Sequence, residues 1–155
     1  MLVKNVLYSA LAIFLLGLSS YANAGQIRTE DGYVIHYNAF STEMLQAKAA
    51  RSYSIVQSKN RVMLNISVRK GGKGNLLNTK AVEARVSIQA INLLGQLKNI
   101  LKTTIKEGKA GSAAVYYIGI FTISDQETLK FSLEVDPEGK GKVQKIEFTQ
   151  QFFVD

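Results

Sequence analysis

The chain has 155 residues, with 19 Lys and Arg against 12 Asp and Glu, one His, no Cys, no Trp and a net charge of +7. The lack of cysteine excludes disulfides, thiol nucleophiles, iron–sulfur clusters and thiolate zinc sites together. A charge of this size is ordinary for a small soluble domain and does not by itself name a partner.

The chain opens with "MLVKNVLYSALAIFLLGLSSYANA", residues 1–24. Lys4 makes a positive start. Val6 to Leu18 is an apolar run broken only by Ser9 and Gly17, and Ala22-Asn23-Ala24 has the small-x-small form of a cleavage site. Together these predict a secretory signal peptide, cut after Ala24. The apolar run is shorter than the roughly 20 residues of a membrane-spanning helix. Residues 25–155 then form one exported domain, not an integral membrane protein, and loss of Lys4 lowers its charge from +7 to +6. In a periplasmic setting nucleic acid is no partner. The anionic candidates are lipid headgroups, envelope polysaccharides and acidic proteins.

Strand signals dominate the rest of the chain. "GYVIHYNAF" (32–40) is rich in β-branched and aromatic residues, with Tyr33, Ile35, Tyr37 and Ala39 on one face and Val34, His36, Asn38 and Phe40 on the other. "STEMLQAKAARS" offers caps at Ser41 and Thr42 and an Ala-rich run, which predicts one short helix near 42–52. "RVMLNISVRK" alternates: Val62, Leu64, Ile66 and Val68 oppose Arg61, Met63, Asn65, Ser67 and Arg69. "GGKGNLLNT" reads as a glycine-rich connection, and "KAVEARVSIQAIN" alternates again before the turn "LLGQ".

Residues 97–107 have two readings. Leu94, Leu97, Leu101 and Ile105 have helical spacing, but the β-branched run Thr103-Thr104-Ile105 favours a strand. As a strand, it sets Lys98, Lys102 and Lys106 in a row on its solvent face, with Leu97, Leu101 and Ile105 on the other. "SAAVYYIGIFTIS" is apolar enough for a central strand covered on both faces over part of its length. "ETLKFSLEV" alternates, "DPEGKGK" turns with Pro137 where a fixed φ helps, and "VQKIEFTQQFFVD" closes the chain as a strand. Adjacent Phe152 and Phe153 must point to opposite faces, so one ring faces outward. The pattern predicts a mainly all-β domain: an antiparallel, immunoglobulin-like sandwich of about seven strands with one short helix.

Three stretches, "GYVIHYNAFST", "SIVQSKNRVMLNISV" and "VYYIGIFTISDQETLKFSLEVDPEG…FTQQFFVD", resemble a proteobacterial family of small exported proteins classed as a domain of unknown function (type 4426). The resemblance runs from about Gly32 to Asp155. It implies a periplasmic, mostly β protein and carries no catalytic residues across.

His36 is the one histidine available as a proton shuttle. A hydrolase would pair it with a loop carboxylate. Paired carboxylates for glycoside cleavage would come from Asp31, Glu43, Asp125, Glu127, Asp136 or Glu138, most of them in turns. A metal site is disfavoured, since catalytic zinc takes three protein ligands. "RKGGKGN" lacks the Ser/Thr and the helix of a phosphate loop. No pattern calls for a cofactor. The favoured reading is therefore a binding domain contacting an envelope protein or an anionic envelope component, with Lys98, Lys102, Lys106 and His36 as the candidate surface. A periplasmic hydrolase using His36 is the alternative. A small outer-membrane barrel is a third, against which an odd strand count weighs.

Overall fold

Alternating side chains need two sheets to share the buried face, and that is what the chain builds. The computed structural model describes residues 23–72, 75–109 and 113–154. Nine strands follow in order: β1 (Asn23–Arg28), β2 (Tyr33–Ser41), β3 (Arg61–Gly72), β4 (Asn75–Ala81), β5 (Ala84–Asn92), β6 (Leu101–Glu107), β7 (Ala114–Thr122), β8 (Glu127–Pro137) and β9 (Gln144–Phe152). The larger sheet runs β1-β2-β3-β7-β6, with β4 also paired to β3; the smaller runs β5-β8-β9. Every pairing is antiparallel. Both sheets have free edges, so the described strands make a sandwich and not a closed barrel. No helix among the described residues is long and apolar enough to cross a membrane.

The core lies between the sheets. Ile35, Val62, Leu64, Ile66 and Val68 come from one side, and Leu129, Phe131, Leu133 and Val135 from the other. Phe131 sits among Phe148, Phe121 and Phe152 at ring separations of 4.6, 5.8 and 6.2 Å. Two polar ties cross the gap. The Tyr117 hydroxyl accepts the Ala84 amide at 2.7 Å, and Gln150 Nε2 donates to the Ala39 carbonyl at 3.1 Å. At one end, Lys140, the Tyr33 hydroxyl and Lys70 surround the Glu138 carboxylate and bring its pKa down to about 2. Gly139 N donates to Asp136 O, with Pro137 next after Asp136 and Glu138 at φ 55, the type II turn that Pro137 presets.

The strand count corrects the expected seven. β1, "NAGQIR", has only Ile27 as a strong apolar residue, and its strand identity comes from pairing with β2. β4 occupies the stretch read as a glycine-rich connection and pairs back on β3, with a register shift between Lys70 and Gly72. Residues 73–74 lie outside the described residues. So does most of the predicted signal peptide, although Asn23 and Ala24 are the first two residues of β1. The helical segment falls at 42–52 as expected, in two pieces. A 3-10 turn (Thr42–Met44) is capped by Ser41 Oγ, and a helix α1 (Ala47–Ser52) follows.

Residues 97–107 need a second correction. The strand begins only at Leu101, so Lys98 precedes it and its ammonium meets both Glu127 oxygens, at 2.9 and 3.0 Å. The three lysines therefore form no row. Lys102 pairs with Gly119, which itself lies opposite Leu64 of the core. The lysine side of β6 is thus the side turned toward the smaller sheet, and it stays exposed because β6 is an edge. Lys106 pairs there with Glu83. Leu101 and Ile105 take the outer face instead, opposite Ile120 and Tyr116.

Candidate functional site

The outer face of the larger sheet is only half covered. Residues 42–55 lay Leu45, Ala50 and Ile55 over Phe40, Met63, Tyr116 and Ile118, closing a second apolar cluster. Beyond it the register builds polar rows. Gln26, His36 and Ser67 stand side by side across β1, β2 and β3; Ala24, Asn38, Asn65 and Ile118 form the next row. These rows floor a groove of about 420 Å³ whose polar lining includes His36, Asn38, Asn65, Ser67, Arg69 and Tyr116.

Asn65 is the unusual member. It is 6% exposed, lies where the groove meets the apolar cluster, and its Oδ1 has no hydrogen-bond partner among the described residues. An unpaired buried acceptor costs about 1–3 kcal/mol. Arg69 is held in place: its Nε donates to Thr79 Oγ1 and its Nη2 to the Thr79 carbonyl, both at 2.7 Å. Burial, then the charges of Arg69 and Arg28, keep the His36 pKa below the usual 6.5. His36 therefore stands neutral near pH 7. Burial raises the Tyr116 hydroxyl, and Glu107 adds to the effect.

The carboxylates that a His36 hydrolase would need are elsewhere. Among the described residues none that lines the groove is Asp or Glu. Asp31 pairs with Lys142, Glu127 with Lys98, and Glu138 with Lys70 and Lys140. Asp136 accepts the Gly141 and Lys142 amides, and Glu107 accepts the Tyr53 hydroxyl. Among the described residues no three His, Asp or Glu cluster as metal ligands do. Of the candidate surface residues, the structure places His36 in the groove and Lys98, Lys102 and Lys106 away from it. Asn38, Asn65, Ser67 and Arg69 were the ones sequence reasoning left out. Their shared parity was visible in the alternation; their adjacency to His36 was not.

The depressed His36 pKa has a pH consequence. Above about 6.5 the histidine is neutral in both folded and unfolded chains. As pH falls through that value toward the lower folded pKa, only the unfolded chain gains the proton, so stability is lost. Melting temperature should fall between pH 7.5 and 5, and the slope should be shallower in His36→Gln. Equal slopes would show that His36 does not titrate differently on unfolding.

A family model described as a domain of unknown function, DUF4426, matches residues 27–155. The chain is similar to a DUF4426 family protein from Pseudomonas aeruginosa PAO1 known from a crystal structure, at 29% identity and a TM-score of 0.67, covering 85% of this chain and 96% of that one. The yeast GGA1 GAE domain superposes at 10% identity and a TM-score of 0.36, covering 82% of this chain and 96% of that one, too distant to support an argument. No curated protein matches.

Proposed function

The chain belongs to the DUF4426 family, which brings no chemistry with it, and from the groove we propose an exported, periplasmic binding domain that holds an anionic, hydroxyl-bearing saccharide of the envelope. The observation that carries this is Asn65, a groove-lining residue whose buried Oδ1 accepts no hydrogen bond among the described residues. A sugar hydroxyl supplies that donor and can accept from the neighbouring amide and hydroxyl groups. Arg69, with no carboxylate among the described lining residues to offset it, favours a ligand that carries negative charge, and Arg28 adds its field at His36. Binding is preferred to hydrolysis because His36 has no carboxylate to orient it.

The test is a titration with oligogalacturonate, followed by amide and imidazole NMR signals. Shifts should concentrate on the side chains of Asn38, Asn65 and His36, and should shrink at high salt as the arginine contribution is screened. A neutral oligosaccharide of the same length should bind more weakly. No shift in the groove, or shifts confined to Lys102 and Lys106, would overturn the reading.

A further inference from the structure

The connection from β5 to β6 tucks Ile100 against the core but leaves its leucines exposed. Leu93, Leu94, Leu97 and Leu101 are 78, 83, 68 and 72% exposed. Single exposed leucines are ordinary, whereas a cluster marks a surface that meets something apolar. This cluster sits on an ordered turn. Asn92 Oδ1 accepts the amides of Leu94 and Gln96 at 3.0 and 2.9 Å, and its Nδ2 donates to Gln96 Oε1 at 2.8 Å. Gly95, at φ +77, donates to the Asn92 carbonyl, and Lys98 N ties the returning chain to Ala90. The turn thus holds Leu93 and Leu94 outward through its own hydrogen bonds.

Two observations indicate what the turn meets. The first is its position. β5 ends at the same end of the sandwich as β6 and β8 begin, and there β1 also begins, with Asn23 opposite Ala39 near the end of β2. The apolar run Val6–Leu18 is thus joined to this end by residues 19–22 alone. Even fully extended, that link reaches only about 18 Å. Before the predicted cut after Ala24, this end of the domain therefore stays within that reach of any bilayer that takes up the leader. The second is charge. Lys102 follows Leu101 directly on the exposed edge strand, the chain is net positive, and inner-membrane leaflets offer anionic headgroups. A pair of exposed leucines on a hydrogen-bonded turn of a net-positive chain suits the interfacial layer of a bilayer.

We infer that the Leu93–Leu94 turn is a membrane-docking tip, which seats this end of the domain on an anionic lipid surface. The exported protein should float with vesicles of phosphatidylglycerol and phosphatidylethanolamine. Leu93→Ser/Leu94→Ser should lower the partition about tenfold or more, since two leucines lose their burial in lipid. Lys102→Gln should weaken it at low salt only. The chain has no tryptophan, so Leu94→Trp adds a sole indole reporter that stands even if the double variant folds poorly. Its emission should shift blue on adding vesicles and be quenched by brominated lipid. Flotation equal in wild type and double variant, or an unshifted Leu94→Trp spectrum, would overturn the inference. So would a concentration-dependent dimer that the double variant abolishes without any vesicle binding by wild type, which assigns the turn to a second copy.

Discussion

Phe131→Ala is expected to destabilise the domain by about 3–5 kcal/mol, the upper range for truncating a single core side chain. Phe131 is fully buried at the centre of β8. Its ring stacks on Phe148 at 4.6 Å and 14° and takes Phe152 edge-on at 80°. Truncation removes that packing and leaves a cavity between two sheets that cannot close on it, because hydrogen-bonded ladders hold both. The aromatic pairs add about 0.5–1.5 kcal/mol each beyond area alone. Phe153→Ala is the control: that ring is 58% exposed and its removal should cost little. Denaturant midpoints compared at unchanged slope give the measurement. If the two variants differ by less than about 1 kcal/mol, the aromatic cluster is not the centre of stability.

Asn65→Leu should do the opposite. Replacing the amide with an apolar side chain of similar size removes an unpaired buried acceptor, and about 1–3 kcal/mol of stability should be gained. The new side chain would lie against Phe40, Met63 and Ile118, which already line the recess beside it. The same change should abolish the groove's response to oligogalacturonate. A gain in stability with a loss of binding is the signature of a residue kept for function. If Asn65→Leu instead unfolds more readily, the amide is structural and the groove loses its strongest support.

Much of this architecture was legible from alternation. The runs in β2, β3, β5 and β8 sorted residues onto two opposite faces as the structure has them, because side chains alternate along a strand. His36 and Asn38 opposite Tyr33 and Tyr37 followed from the same parity. β1 and β4 were not legible, since their strand character comes from partners and not from their own side chains. Gly25 illustrates this: a Cβ there would overlap the Tyr37 ring, so a residue that weakens a strand is the one that fits.

The sequence by itself determined an all-β domain, the composition of its core and the absence of thiol chemistry. Tertiary structure alone decided which side of β6 faces inward, and which polar residues meet. Alternation states that neighbours point oppositely; it does not state which direction is covered. Pairing Lys102 with Gly119 turned the lysines toward the smaller sheet, and an edge position kept them wet. Pairing His36 with Ser67 and Asn38 with Asn65 assembled a groove from residues distant in the chain. Such adjacency is set by strand register across the sheet, and register depends on how the two buried faces fit together.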